Sequence, residues 1–372
     1  MESIKDVKVA GRRIFLRVDF NVPIVDGKIE DNNRIKAALP TINYLREHKA
    51  RIIIGTHVGR PNGEKTEETS VLPIVKNLST LLNADVFYIN DVLGPKVERA
   101  VEQLKDGDVL VLGNLRWHSE EEQNNPEFAS KLASYADLYV NDAFAVSHRA
   151  NASVEAITKF LPSYSGFLLE REVTTLRLLF DFPVSPFVAI IGGAKVKDKA
   201  GIIKKLVEKA DSILVGGAVA NTFLLAKGEN VGNSLVEPEM VDECRRMIQT
   251  SDNKIILPID SVKAEDEQTF KIMDIGPETV AKYQGIISEA NSIFFNGNLG
   301  QTEDERYQSG TSGIAKAINE SQSGVKVAAG GDTVGFINDN GLAAGFSFLS
   351  TGGGAALEFL AGGKLPGIEA LE

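Results

Sequence analysis

The sequence predicts an α/β protein with two parallel sheets, each flanked by helices. Three observations carry the prediction. Short apolar runs alternate with amphipathic helical patterns along the whole chain, as βαβ units do. Eleven such runs exceed the roughly 4–6 strands of a typical sheet, so two sheets fit better than one. A helical stretch, "GFLLEREVTTLRLLFD" from Gly166 to Asp181, then ends in the breaker cluster "DFPVSPF", which marks a seam.

The elements follow in order. The first run, Ile14–Val22, buries Phe15, Leu16, Val18 and Phe20, yet carries Arg17, Asp19 and Asn21 on alternate positions. It reads as a strand ending near Val18 or Asp19, with Asp19 and Asn21 at its carboxyl end. Arg17 then needs a buried ion-pair partner that the sequence does not name. "DNNRIKAALP" opens a helix capped by Asp31 or Asn32. Arg51–Ile54, Val86–Ile89, Val109–Leu112 and Leu138–Val140 supply further strands of the first half. Phe187–Ile191, Ser212–Val215, Lys254–Leu257, Ser292–Phe295, Val325–Ala328 and Phe346–Leu349 supply the second.

The totals exclude several classes. A net charge of −11 argues against a general grip on nucleic acid. The single cysteine, Cys244, allows no disulfide framework and fits a reducing compartment. The N-terminus carries no secretory signal, and the apolar stretch Ser212 to Ala226 is too short and too broken by Gly and Asn to span a bilayer. The expectation is a soluble cytoplasmic protein without a nucleic-acid or membrane partner.

Ligands of open α/β sheets bind beyond the carboxyl ends of the strands. In the first half those ends are polar: "GTHVGRP" (Gly55 to Pro61), "GNLRWH" (Gly113 to His118) and "NDAFAVSHR" (Asn141 to Arg149). Arg34, Arg60, Arg116 and Arg149 would gather there, with His57, His118 and His148 nearby. Several planar guanidinium forks at strand ends suit a small, multiply charged anion. Any one of these arginines taken alone reads as a surface residue. Arg34 sits in a helix's first turn, where a cation opposes the dipole unless an anion joins it. The histidine spacing fits no zinc pattern.

In the second half the strand ends are glycine-rich: "GGAKVKDK", "GGAVA", "NGNLG", "GGDT" and "STGGG". Such loops let backbone N–H groups approach phosphates at helix starts. No P-loop, dinucleotide fingerprint or protein-kinase signature is present. Lys195 and Lys199, four apart, share a helical face as phosphate counter-charges. Asp332 suits a magnesium ion that keeps most of its waters, and reads equally well as a helix cap.

"RVDFNVP", "THVGRP", "NLRWHSEEE", "YVNDAFAVSHR", "GGAKVKDK", "GGDT" and "STGGGAALEFL" resemble, in order, the motif series of the phosphoglycerate kinase family across essentially the whole chain. The resemblance implies two Rossmann-like lobes joined by a hinge helix. It implies an N-terminal lobe over 1–165, a hinge helix over 166–181, a C-terminal lobe over 182–354, and a tail from about 355 to 372 packing back on the first lobe. It implies a glycolytic enzyme that moves a phosphoryl group between 1,3-bisphosphoglycerate and ADP, giving 3-phosphoglycerate and ATP with Mg2+, by hinge closure and as a monomer.

Carried over by position, Asp19, Phe20, Asn21, Arg34, His57, Val58, Gly59, Arg60, Arg116 and Arg149 would hold the phosphoglycerate, in part through backbone groups. Lys195, Lys199, Gly216, Gly217, Asn296, Glu303, Gly330, Gly331, Asp332 and Thr333 match the nucleotide positions, with Asp332 toward the metal. Arg34, Lys195 and the amides of Gly352, Gly353 and Gly354 would surround the transferring group. The chain departs from the family at Phe295 (usually Trp), Asn298 (Pro), Ala329 (Gly), Gly113 (Glu), Ala145 (Gly) and Asn151 (His). Two readings compete with this one. A nucleotide- or metabolite-binding protein without turnover is disfavoured by Arg34, Lys195 and Asp332, and a dehydrogenase by the missing dinucleotide fingerprint.

Overall fold

The computed structural model describes residues 1–266 and 269–372. The chain divides into two compact units, one of residues 1–174 with 364–372, the other of residues 175–363. The division falls inside the helix Phe167–Asp181. The C-terminal segment grouped with the first unit begins at Lys364, later than the position near 355 expected from the sequence. The helix Gly353–Leu360 packs instead on Ala200–Lys209 in the second unit.

The first unit holds a six-stranded, all-parallel sheet. Its spatial order is Phe87–Tyr88, Val109–Val111, Arg51–Gly55, Arg13–Val18, Leu138–Asp142, Ser163–Ser165. The near-continuous apolar strands are buried on both faces, as parallel strands must be. Ile14, Leu16, Val18, Ile52 and Ile54 pack against Ile35, Ile42, Leu45, Ile74 and Leu78 from the helices Asn33–Glu47 and Leu72–Leu82.

The second unit repeats the plan. Its order is Ile255–Ile256, Ser212–Val215, Phe187–Ile191, Ser292–Asn296, Val325–Ala329, Phe348–Ser350, again all parallel. Numbered within the sheet this is 3-2-1-4-5-6, the doubly wound order, whose direction of winding reverses between Phe187–Ile191 and Ser292–Asn296. In the first sheet the reversal falls between Arg13–Val18 and Leu138–Asp142. A crevice opens beyond the carboxyl ends at such a reversal, so the residues just after these strands are the ones free to meet ligands.

Three strand features were not expected from the sequence. Ser163–Ser165 is a three-residue edge strand. Ile24–Val25 and Lys28–Ile29 form a tight hairpin, and Ser261–Asp266 with Thr269–Ile275 a longer one. Among the described residues no helix is long and apolar enough to cross a membrane.

Candidate functional site

The first strand ends at Val18, and the next three residues tie the strand ends together. The Phe20 N–H donates to Thr56 Oγ1 at 3.0 Å. Asp19, nearly buried, accepts from Arg34 Nη1 at 2.5 Å and from the Asn21 N–H at 3.2 Å. Asn21 Oδ1 accepts from the Gly59 N–H at 2.9 Å. A left-handed turn at Gly59, φ +64°, lets its carbonyl accept from Arg116 Nη1 at 3.2 Å. Asn114 braces the same corner, accepting from the Arg116 N–H at 3.0 Å and donating to the Val58 carbonyl at 2.7 Å. The side chains of Phe20 and Val58 are core, so only their backbones face the crevice.

His57 is buried at the centre of this group. Burial and the guanidiniums of Arg17, Arg116, Arg34 and Arg149 hold its pKa well below the ordinary value, so the ring is neutral. A neutral imidazole ringed by arginines marks a strongly electropositive crevice. One buried donor there, Arg116 Nη2, has no hydrogen-bond partner. Buried polar atoms without partners are rare, and a bound anion would satisfy this one. Arg149 Nε donates to His148 Nε2 at 3.2 Å. Arg60 is exposed and is not among the charges acting on His57.

The expected partner of Arg17 is Glu121. Arg17 Nη2 lies 4.0 Å from Glu121 Oε1, and each side chain is 1% exposed. Ser153 bridges them: its Oγ accepts from Arg17 Nε at 2.8 Å and donates to Glu121 Oε1 at 2.5 Å. Arg17 also donates to the Val18 carbonyl and faces His57 Nδ1 at 3.5 Å.

In the second unit a cavity of about 780 Å³ opens at the winding reversal. Lys195, Lys199, Gly217, Asn296, Glu303, Gly330, Gly331, Asp332 and Thr333 line it; Gly216 does not. Lys199 Nζ donates to Asn296 Oδ1, and Asn296 Nδ2 donates to the Ala329 carbonyl at 2.6 Å. Burial lowers the Lys199 pKa to about 8, although the Asp198 and Asp332 charges raise it. The helices Gly331–Asp339 and Gly353–Leu360 start side by side: a Cβ on Gly353 would stand 2.7 Å from the Gly330 Cα. First-turn N–H groups have no intrahelical partner; Gly330 and Gly331 line the cavity, whereas Gly352, Gly353 and Gly354 lie behind them and do not. Leu224, Leu235 and Leu299 give the cavity an apolar wall.

Several glycines do a different job from the one the sequence assigns them. The Gly193 N–H donates to the Asn298 carbonyl at 2.8 Å and the Gly217 N–H to the Leu299 carbonyl at 3.0 Å. A Cβ on Gly217 would come within 2.7 Å of that Asn298 oxygen. These glycines close-pack three loops, and their own amides are engaged there. Thr333 is likewise engaged, its Oγ1 accepting from the Gly297 N–H at 2.8 Å.

The oxygen donors fit a magnesium ion of the kind that travels with a nucleotide. Asp332 is an exposed carboxylate at the cavity, and among the described residues no three His, Cys, Asp or Glu side chains gather into a metal cage. One carboxylate with phosphate oxygens and waters is how Mg2+ is usually held. Sequence reasoning missed Glu237, which accepts from the Val196 and Lys197 N–H groups in the lysine loop. It missed Asn298 Oδ1 as well, a buried oxygen without a partner in a cavity-lining residue. Asn298 is legible as a departure from a motif, Glu237 from none.

A family model described as phosphoglycerate kinase matches residues 4–363. The phosphoglycerate kinase of Moorella thermoacetica is 44% identical over 387 residues, covering 99% of this chain and 98% of the relative. That of Herpetosiphon aurantiacus is 45% identical over 389 residues, covering 100% and 98%. Among solved structures, phosphoglycerate kinase from Pyrococcus horikoshii superposes with a TM-score of 0.90 at 34% identity, covering 100% of this chain and 98% of the other. The Coxiella burnetii enzyme gives 0.86 at 35%, covering 99% and 98%.

Proposed function

The chain belongs to the phosphoglycerate kinase family, and from that premise we infer how its residues divide the work. It is a glycolytic phosphotransferase with a carboxyl group as acceptor, moving a phosphoryl group between 1,3-bisphosphoglycerate and ADP to give 3-phosphoglycerate and ATP. We propose that the arginine crevice of the first unit holds the phosphoglycerate. Arg34, Arg116 and Arg149 neutralise its charge, and His57, kept neutral, offers a hydrogen bond without adding to the repulsion among the cations. Asp19 and Asn21 orient Arg34 and the Gly59 turn. Arg60, exposed beside that turn, meets the substrate from the solvent side.

The nucleotide lies in the second-unit cavity, its phosphates toward Lys195, Lys199 and the helix start at Gly331, its base toward the apolar wall. Glu303 lines the same cavity, and Asn296 holds Lys199 in place. Asp332 would hold a magnesium ion, which when bound with the nucleotide offsets negative charge on the phosphate oxygens. Phosphoryl transfer needs positioning and charge stabilisation more than proton chemistry, and these groups supply both.

The observation that carries this reading is the electropositive crevice around His57 with its partnerless Arg116 Nη2. Arg34→Ala and Lys195→Ala test it through turnover and calorimetric ADP binding. Turnover falls by about 100-fold or more, the size usual for removing a transition-state donor, while ADP affinity changes far less. Equal losses in both quantities would refute the assigned roles.

A further inference from the structure

The lysine loop between Ile191 and the helix Ala200–Lys209 carries two of the cations assigned to the phosphates. A loop with two long, flexible ammonium side chains needs its backbone fixed if those charges are to sit where charge develops. The cap position of the helix is Lys199 itself, which gives no side-chain cap. The backbone is held from elsewhere. Val196 is a buried anchor at the loop's centre, and its carbonyl accepts from the Lys199 N–H at 2.8 Å and the Ala200 N–H at 2.7 Å. The Val196 N–H donates to Glu237 Oε2, and the Lys197 N–H donates to the same oxygen at 3.2 Å. Glu237 is fixed in turn: its N–H donates at 3.1 Å to Oγ1 of Thr222, a buried residue of the helix Gly217–Ala226.

We propose that Glu237 is a positioning residue of the kinase, whose carboxylate fixes the Val196–Lys197 backbone so that Lys195 and Lys199, on either side, both reach the nucleotide phosphates. The proposal rests on the reading of those lysines as phosphate-holding groups. Glu237 acts through reach, since two successive N–H groups converge on one of its oxygens. Its charge is secondary, because the carboxylates that act on Lys199 are Asp198 and Asp332. An amide oxygen at the same distance can accept both hydrogen bonds; a carboxylate one methylene shorter cannot.

The test uses the full-length enzyme and three variants. Glu237→Gln keeps turnover within about threefold of the parent, while Glu237→Asp and Glu237→Ala lower kcat by about 10- to 100-fold, the range for a small misplacement of catalytic groups. KM for 3-phosphoglycerate stays unchanged in all three. A purely structural role would lower the melting temperature without this split between Gln and Asp. In a background carrying both Lys195→Ala and Lys199→Ala, Glu237→Ala removes less than about a further threefold, because the groups it positions are gone. Should the Ala variant not fold, the Gln and Asp pair decides alone. A Gln variant as slow as Asp, or a fully multiplicative loss in the triple variant, overturns the proposal. If Glu237→Ala turns over normally while Lys195→Ala and Lys199→Ala are slow, only the positioning role falls. If both lysine variants keep full turnover, the reading of the lysines falls and the proposal with it.

Discussion

Removing Glu121 should unfold the first unit far more easily than its place in the acidic run "HSEEE" suggests. Its carboxylate is 1% exposed and lies 4.0 Å from the equally buried Arg17 guanidinium. It also accepts from the Ser153 N–H at 2.9 Å and from Ser153 Oγ at 2.5 Å. Glu121→Ala leaves a buried cation without its counter-charge and two Ser153 donors without an acceptor. Breaking a buried ion pair from one side costs about 3–5 kcal/mol. With a urea dependence of about 2 kcal/mol per molar, the midpoint falls by about 2 M. The assay is built into the chain. Trp117 is its one tryptophan and is 7% exposed in this same unit, donating to Thr69 Oγ1 at 2.8 Å, so its fluorescence follows this unit's unfolding. Glu121→Gln keeps an acceptor for Ser153 and loses less. A midpoint shift under about 0.5 M in the Ala variant would mean that Val18, Ser153 and His57 satisfy Arg17 without the carboxylate, and the buried-pair account would be refuted.

Two further predictions concern titrating groups. Asp142 caps the helix Phe167–Asp181, accepting from the Leu168 and Leu169 N–H groups at 2.8 and 3.2 Å, yet burial raises its pKa to about 6. A carboxyl whose folded pKa exceeds its unfolded value gains stability as pH falls from about 6 toward 3.8, and at pH 7 its charge is a burden. Asp142→Asn is therefore no less stable than the parent at pH 7, while Asp142→Ala loses about 1–2 kcal/mol with the cap; melting curves that rank Asn with Ala would contradict this. Lys199, with its pKa lowered to about 8, is charged below that value and neutral above it. ADP affinity measured by calorimetry falls as pH rises past about 8, by up to about tenfold per unit, and Lys199→Arg flattens the slope because arginine stays charged. An unchanged slope in the Arg variant would remove Lys199 as the cause.

The sheet strands are legible where they are buried on both faces, because Val, Ile and Phe then run without interruption, as in Ile52 to Ile54 and Phe187 to Ile191. Ser163–Ser165 is not, since a Ser-Tyr-Ser edge strand exists only by pairing with Leu138–Asp142. Of the four arginines expected at the first half's polar strand ends, Arg34, Arg116 and Arg149 gather around His57 while Arg60 stays in solvent. Glu121 cannot be told from Glu120 and Glu122 by composition; the four-residue helix Ser119–Glu122 decides which of them turns inward. Several of the glycine pairs line the second unit's cavity, but not all with free amides. Some give up their amides to neighbouring loops, and only a structure shows which backbone donors remain. Glu237 reaches its two amides from a different loop, so no local pattern announces it.

The central claim is that this chain transfers a phosphoryl group between an acyl phosphate and a magnesium-bound nucleotide. The direct measurement is ATP-dependent formation of 1,3-bisphosphoglycerate from 3-phosphoglycerate, coupled to NADH oxidation, with and without magnesium. The account predicts turnover that needs 3-phosphoglycerate, ATP and magnesium together and that collapses in Arg34→Ala. Binding of ATP and 3-phosphoglycerate with no NADH oxidation would contradict it.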